Sequence, residues 1–321
     1  MKNEIEKIVT IGGGSGQYVL LSGLRDLENI EITTVVSMMD SGGSTGVLRD
    51  EFGVLPPGDI FKCILALSPD RENARKILQT RFTCQGRLNG HNAGNMLLSF
   101  LSQYTGSFPE GVNALAQILN IKGTVLPVTV DRATLVAELT DGSHLYGEAA
   151  IDIPRGDQRQ KIKSTFLVPH HSESIKVYPP VIEAIKKADY IIIGPGDLYT
   201  SITPNFLVPG VKEALADSLS EIIFIVNIMT KFGETDNFTV SDFIKETEKS
   251  IGKEINHVII NKERPERSIL GDYKKQKANF VEVDENLPKR NIIKEDLLDL
   301  AGGIIRHNSG KLAEVIKNLI K

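Results

Sequence analysis

Residues 5–16 read IEKIVTIGGGSG, a short apolar stretch that runs directly into a glycine-rich loop. The β-branched residues up to Ile11 predict a strand. Beyond the loop, apolar residues recur at helical spacing from Val19 to Leu27. A strand that leads through glycines into a helix is the first half of a βαβ unit, so this stretch predicts an α/β fold with a parallel sheet.

The same order of strand, loop and helix returns further along the chain. A β-branched stretch at 32–37 leads into DSGGSTG, and three later stretches are apolar throughout, at 190–193, 222–226 and 258–260. Strands that are apolar on both sides fit a parallel sheet that is covered on both faces. We therefore predict a doubly wound, mostly parallel Rossmann-like sheet with helices on both faces, in a single domain over residues 1–321.

The stretch between about residues 124 and 178 has a different pattern. Short alternating runs such as ATLVAEL and KSTFLV are separated by turn signals such as Asp141-Gly142. Alternation of apolar and polar residues is typical of antiparallel strands with one solvated face. We predict a small β-rich insertion over 124–178.

The composition argues against several classes of protein. Hydrophobic residues make up 41% and charged residues 24%, which is typical of a globular chain. A net charge of −4 without a basic run argues against nucleic-acid binding. The longest aliphatic and aromatic run, at 222–226, is far shorter than the ~20 residues that span a membrane. With no signal-peptide pattern, we expect a cytoplasmic protein whose Cys63 and Cys84 are reduced and in or near the core.

Ligands of an open parallel sheet bind beyond the carboxyl ends of its strands, near the point where the strand order reverses. Four loops at predicted strand ends are rich in glycine and small polar residues, at 12–16, 40–46, 194–201 and 227–236. We expect these loops to form one ligand site.

The first loop, GGGSG, favours phosphate binding, because its backbone N–H groups can converge on an anion at the start of a helix. The dinucleotide fingerprint is incomplete, since its third small residue is replaced by Gln17 or Val19 in the two reading frames. A P-loop is excluded because no Gly-Lys-Ser/Thr triplet follows. A tight turn without a ligand is the alternative.

Local charge bears on how a phosphate would be held. Residues 12–59 include two basic and seven acidic side chains. Neutral donors would then bind the phosphate, namely the backbone and the hydroxyls of Ser15, Ser44 and Thr45. Alternatively, a divalent cation held by Asp40 and Asp59 would bind the phosphate. The structural alternatives are an Asx turn or a cap at Asp40 and a helix N-cap at Asp59.

A further motif, GHNAGN, begins at Gly90 and precedes a helix predicted from Ala93. Asn92 is suited to cap that helix, whereas Asn95 is a poor helix former and suggests a role in the site. His91 is either a general acid or base, or a hydrogen-bonded structural residue.

These motifs resemble those of the 2-phospho-L-lactate transferase (CofD-like) superfamily. The likeness is carried by the GGGSG strand end, by GHNAGN and by MMDSGGSTGVLRDEFGVLPPGDI at 38–60. Two later blocks, GPGDLYTSITPNFLVPG at 194–210 and NIMTKFGETDNFT at 227–239, are similar to the YvcK-type "putative gluconeogenesis factor" branch. The resemblance covers essentially the whole chain.

The resemblance implies a Rossmann-like core that binds a nucleotide. For the YvcK-type branch it implies a cytoplasmic bacterial protein that binds UDP-sugars such as UDP-N-acetylglucosamine or UDP-glucose. That branch supports carbon metabolism, cell envelope synthesis and cell shape under gluconeogenic growth, without a settled catalytic activity. The alternative is the transferase branch, which moves a phospholactyl group from a guanylated donor to a deazaflavin with magnesium. In that case Asp40 and Asp59 would be the catalytic and metal-binding residues.

Carried over by motif, the resemblance implies one nucleotide pocket made of the glycine-rich loops, the GHNAGN helix start and the C-terminal stretch IIRHNSGKLA. Its residues would be Gly13, Gly14, Ser15, Gly16, Asp40, Gly42, Gly43, Ser44, Thr45, Asn92, Asn95, Gly196, Asn227, Thr230 and Arg306. Ser309 falls where some members carry a phosphorylatable threonine.

This chain departs from the family pattern at Ser41, where many relatives have a second aspartate. Asp40 alone would hold a metal less firmly than a pair, which favours ligand binding without turnover. An NAD-dependent oxidoreductase is the weakest alternative, because its fingerprint is broken. We also expect a homo-oligomer and a regulatory protein partner.

Overall fold

The computed structural model describes residues 5–52, 54–86, 88–154, 156, 158–170 and 173–320. Its strands, in chain order, are β1 (Glu6–Gly12), β2 (Ile30–Val36), β3 (Thr124–Pro127), β4 (Ala133–Leu139), β5 (His144–Tyr146), β6 (Ile162–Pro169), β7 (Tyr190–Ile193), β8 (Glu221–Ile225), β9 (His257–Asn261), β10 (Asn291–Glu295), β11 (Leu298–Asp299) and β12 (Arg306–His307).

The helices are α1 (Gly14–Leu24), α2 (Gly43–Phe52), α3 (Gly58–Leu67), α4 (Arg71–Leu78), α5 (Ala93–Thr105), α6 (Phe108–Ile118), α7 (Glu148–Asp152), α8 (Pro179–Lys187), α9 (Thr203–Phe206), α10 (Val211–Asp217), α11 (Val240–Ile251), α12 (Arg267–Lys275) and α13 (Ser309–Leu319). A π-helical turn covers Leu198–Ile202, and a 3-10 turn covers Ala301–Gly303. None of the helices in the described ranges is both long and apolar enough to cross a membrane.

Seven strands form one sheet in the order β10-β9-β8-β7-β1-β2-β3. Each neighbouring pair in this sheet runs parallel. β7 and β8 are buried at consecutive residues from their second residue onward, so both of their faces are covered. The doubly wound α/β fold predicted from the glycine loops is confirmed.

The strand order reverses at β1. From β1 the chain first builds outward through β2 to β3, and it later returns to add β7 on the other side of β1. Loops that leave strands on the two sides of such a switch point diverge and open a crevice between them. The GGGSG loop follows β1 and the GPG loop follows β7, so both lie at this crevice.

Helix α1 begins inside the glycine loop, at Gly14, and packs closely against α13. A Cβ atom on Gly23 would lie 2.2 Å from the Ser309 carbonyl oxygen, so a glycine is required at this crossing. The contact places the first residue of α13 beside α1, although the two helices come from opposite ends of the chain.

The antiparallel part of the structure is smaller than the sequence predicts. β5, β4 and β6 form a three-stranded antiparallel sheet, with α7 following β5 in the chain. β3 instead joins the parallel sheet beside β2. The prediction of an insertion over 124–178 is therefore wrong at its first strand, because a four-residue edge strand has too little pattern to reveal its partner. The antiparallel sheet and α7 lie within 133–169.

The two cysteines occupy different environments. Cys63 is buried in α3, as predicted, and Cys84 is exposed, so the expectation that both lie in or near the core is wrong for Cys84. Cys84 lies in the polar stretch between α4 and α5, which offers little apolar surface to bury it. Both thiols are free.

Candidate functional site

The loops after β1, β7 and β8 converge at one edge of the sheet. Asn227 follows β8, and its Nδ2 donates to the Gly196 carbonyl at 2.9 Å while its Oδ1 accepts from the Gly196 N–H at 3.4 Å. On the other side, a Cβ atom on Gly196 would lie 3.7 Å from the Gly13 carbonyl oxygen. Three strand ends thus form one continuous surface.

A cavity of about 650 Å³ opens at this surface. Five residues of the predicted set line it, namely Ser15, Gly16, Gly196, Asn227 and Arg306. Ser309 lies in the same wall, so the C-terminal stretch reaches the glycine loops as the resemblance implied.

Two helices begin at the cavity. Ser15 and Gly16 lie in the first turn of α1, and Ser309 is the first residue of α13. First-turn N–H groups have no partner within their own helix, and the helix dipole places partial positive charge there. Gly13, the N-cap of α1, forms no side-chain hydrogen bond to the first turn of α1, whereas Asn308 Oδ1 accepts from the Lys311 N–H in the first turn of α13 at 3.0 Å. The cavity is therefore suited to an anionic group such as a phosphate.

Charged side chains of both signs line the cavity. The cations are Lys62, Arg75 and Arg306, and the carboxylates are Glu72, Asp197 and Asp299. The charge count over residues 12–59 missed Lys62, which lies one helical turn after Asp59 in α3. A phosphate at this end of the cavity would therefore meet a lysine as well as the neutral donors. The position of Lys62 could have been noticed in the sequence, because a helix places residues three apart on one face.

Asp40 and Asp59 come together from different elements. Asp40 follows β2, and the Gly42 N–H donates to its Oδ1 at 2.9 Å, which forms an Asx turn. Asp59 lies in the first turn of α3, where Pro57 is the N-cap, so the N-cap alternative for Asp59 is wrong. Burial and the negative charge of Asp59 raise the pKa of Asp40 above its usual value. We call these two carboxylates the acid pair.

The donor set at the acid pair fits a magnesium ion. Two carboxylates and the Thr45 hydroxyl, which hydrogen-bonds Asp40, are the oxygen ligands that Mg²⁺ prefers. A Cβ atom on Gly58 would lie 2.5 Å from Thr45 Oγ1 and 3.0 Å from Asp40 Oδ2, so glycine at this position keeps the space beside both groups open. A cation there would offset the repulsion that raises the pKa of Asp40.

A third carboxylate approaches the second loop from the region of the antiparallel sheet. Glu148 begins α7, and its Oε2 accepts from the Ser41 N–H at 3.3 Å. The Ser41 hydroxyl in turn accepts from the Ala149 N–H at 3.1 Å. Burial, followed by the charge of Asp40, raises the pKa of Glu148 to about 7. No sequence signal connects Glu148 to the second loop, because the contact depends on how α7 folds back.

The GHNAGN segment meets the second loop through a buried histidine. His91 Nδ1 lies 2.7 Å from Ser44 Oγ. The predicted cap is confirmed, since Asn92 Oδ1 accepts from the Asn95 N–H at 2.7 Å. Asn95 is buried, and within the described ranges its Oδ1 has no hydrogen-bond partner. The segment therefore supports the loop that carries Ser44.

The other predicted residues lie outside the cavity wall. Gly13 and Gly14 lie against Asp59, since their Cβ positions would be 2.9 and 3.5 Å from its carboxylate oxygens. Thr230 is engaged with Asn279, whose N–H donates to Thr230 Oγ1 at 2.9 Å. The remaining members of this group are Asp40, Gly42, Gly43, Ser44, Thr45, Asn92 and Asn95. Apart from Thr230, the structure thus separates the predicted set into a cavity wall and an acid-pair region, with Lys62 between them.

A partly buried ion cluster supports the cavity wall, to which its member Asp197 belongs. The Lys231 ammonium is paired with Asp152 of α7, with Asp197 at 2.7 Å and with Glu234 at 3.3 Å. The three carboxylates place one oxygen each within 4.8 Å of one another, and Lys231 supplies the positive charge that a metal ion would otherwise bring. Burial raises the pKa of Glu234 to about 8. Sequence reasoning missed this cluster, which connects α7 to the loops after β7 and β8.

These features define a Rossmann-like α/β protein with a cavity at the switch point of its sheet. A family model described as "2-phospho-L-lactate transferase CofD" matches residues 8–298, and the chain belongs to this family.

Proteins similar to this chain over nearly its whole length carry a common name. A Thermotoga maritima protein called "Putative gluconeogenesis factor" is 40% identical over 319 residues, which cover 98% of this chain and 99% of that protein. A Bacillus subtilis "Gluconeogenesis factor" is 36% identical, with 98% of each chain covered. A crystal structure of a Bacillus halodurans protein matches with a TM-score of 0.91 at 36% identity, covering 98% of this chain and 100% of that one. The resemblance inferred from the motifs is confirmed.

Proposed function

We propose that this protein is a nucleotide-sugar-binding regulator whose ligand, a UDP-sugar such as UDP-N-acetylglucosamine or UDP-glucose, binds in the cavity at the switch point. The observation that carries the proposal is that the N-termini of α1 and α13 lie with Arg306 around one cavity of about 650 Å³. Helix N-termini and an arginine are suited to a diphosphate. In this proposal the glycine loop of α1 faces the diphosphate.

The regulatory part of the proposal is supported by the names of the relatives, which place them in gluconeogenic metabolism. Ligand occupancy would report nucleotide-sugar supply and act on carbon metabolism, cell envelope synthesis and cell shape in the cytoplasm. A regulatory protein partner would receive that signal. Ser309 would then be a modification site, since phosphate on the first residue of α13 would occupy the cavity wall.

Isothermal titration calorimetry with UDP-N-acetylglucosamine and UDP-glucose tests the binding step. We expect saturable binding that Arg306→Ala weakens by roughly tenfold or more, because a hydrogen bond to a charged group is lost. Arg267→Ala is the matched control, since Arg267 is exposed at the start of α12 and does not line the cavity. No heat with any uridine nucleotide would overturn the proposal.

A second candidate is a phospholactyl transferase, and the proximity of Asp40 to Asp59 is the observation that favours it. Magnesium at the acid pair would neutralise charge that develops on the diphosphate of a guanylated donor. In this candidate Asp40 and Asp59 hold the cation. Incubation with the guanylated phospholactate donor, a deazaflavin and magnesium should release GMP, and Asp40→Asn should abolish the release. GMP release that survives in Asp40→Asn would exclude this role for the acid pair.

A further inference from the structure

Lys62 lies at the junction between the cavity and the acid pair. Its Nζ donates to Asp59 Oδ1 at 3.0 Å, and the same side chain lines the cavity together with Ser15 and Gly16. The Lys62 side chain keeps 37% of its surface exposed, whereas that of Asp59 keeps 15%. The Lys62 side chain is therefore accessible from the cavity, and its partner is less exposed than Lys62.

The position of Asp59 directs Lys62 toward the first glycine loop. A Cβ atom on Gly13 would lie 2.9 Å from Asp59 Oδ2, and one on Gly14 would lie 3.5 Å from Oδ1. One carboxylate thus lies beside the start of α1 and also holds the ammonium. Lys62 and the first-turn N–H groups of α1 are consequently donors at the same end of the cavity.

The other cavity cations have different surroundings. The Arg75 guanidinium lies 5.8 Å from the centre of the Tyr18 ring, and its Nε donates to Gln79 at 3.0 Å. Arg306 lies in β12 and precedes α13. Lys62 is therefore the cavity cation that is tied to the glycine loop of α1 through Asp59.

Lys62 supplies a cation at this end of the cavity, beside the first turn of α1. A lysine ammonium is a compact point charge that suits phosphate oxygens.

We propose that Lys62 binds the diphosphate of the nucleotide ligand, by exchanging its contact with Asp59 for a phosphate oxygen. This inference rests on the proposed function for the identity of the ligand, but it concerns a residue that neither the motifs nor the charge count had singled out. A divalent cation on Asp59 favours the same exchange, because it replaces the ammonium as the partner of that carboxylate.

Titrations of Lys62→Met with inorganic pyrophosphate and with UDP-N-acetylglucosamine test the inference, both without magnesium. We expect both affinities to fall roughly 10- to 100-fold, since a hydrogen bond between two charged groups is lost. Lys249→Met is a matched control, because Lys249 also pairs with an acid three residues away in a helix, Glu246 at 3.3 Å, and does not line the cavity. Its affinities should stay within about twofold of wild type.

The double variant Asp59→Asn/Lys62→Met covers the case in which Lys62→Met fails to fold, because it also removes the charge of the carboxylate that Lys62 pairs with. We expect it to show the same loss of affinity. Wild-type affinity for pyrophosphate and UDP-N-acetylglucosamine in either folded variant would overturn the inference and leave the proposed function intact. Binding of pyrophosphate that depends on Lys62, without any binding of UDP-sugars, would instead support the inference and overturn the proposed ligand. A wild-type protein that binds neither probe would overturn both.

Discussion

Gly16 and Pro195 approach so closely that a Cβ atom on Gly16 would lie 2.0 Å from the Pro195 carbonyl oxygen. The two residues belong to the loops that follow β1 and β7, the neighbouring strands at the switch point. Because both residues line the cavity, this contact sets how near the two loops can come at the place where a ligand would bind.

Gly16→Ala should therefore lower stability and reshape the cavity together. The added methyl group forces the two loops apart, and overpacking of this kind costs about 1–3 kcal/mol or more. Gly271→Ala is the matched control, because nothing lies within 4 Å of its Cβ position in α12, and alanine is the better helix former. Urea denaturation of the two variants measures the difference. Equal free energies of unfolding would contradict the close approach of the two loops.

His307 should make stability fall as the pH falls. Burial lowers its pKa to about 4, against 6.5 for the ordinary side chain, so the unfolded chain takes up a proton that the folded protein does not. The contribution of this pKa difference to the free energy of unfolding is complete above pH 6.5 and is lost as the pH approaches 4. About 2 kcal/mol is lost between pH 7.5 and 5. Denaturation of the wild type and of His307→Asn at the two pH values isolates the part of the pH dependence of stability that comes from His307. The same pH dependence in both proteins would show that His307 does not titrate in this way.

Asn92 should contribute to stability as the N-cap of α5. Asn92→Ala removes the acceptor for the Asn95 N–H and should cost about 1 kcal/mol of stability. Asn92→Ser keeps a capping oxygen and should retain stability. Urea denaturation of both variants measures the two free energies of unfolding. If Asn92→Ser lost as much stability as Asn92→Ala, the loss of the capping hydrogen bond would not be the cause of the destabilisation.

The two thiols should react at very different rates in the native protein. Cys63 is fully buried and its pKa is raised by burial, whereas Cys84 is exposed. A thiol reagent such as DTNB should modify one cysteine rapidly in buffer and two in denaturant, because the thiolate is the reactive form. Cys84→Ser should show no rapid reaction. Rapid modification of two thiols in buffer would contradict the burial of Cys63.

Local patterns were enough to predict the order of elements. Each of the patterns used depends on residues that are close together in the sequence, so it can be recognised along the chain. These patterns are a strand that ends in glycines, a helical spacing of apolar residues beyond it, and stretches that are apolar throughout. The cap at Asn92 and the placement of the glycine loops at strand ends were predicted for the same reason. The limits of that reasoning show at β3, where a four-residue strand fits either sheet until β2 is beside it.

The sequence by itself determined the fold class, the family and the loops that carry the candidate site, since each depends on residues that are close together in the chain. Tertiary structure alone decided which of those residues share a cavity. It brought the start of α13 to α1 through Gly23, moved Thr230 away into a contact with Asn279, and placed Glu148 at the second loop. These are contacts between distant segments, and they depend on the shape of packed helices and loops rather than on any local pattern.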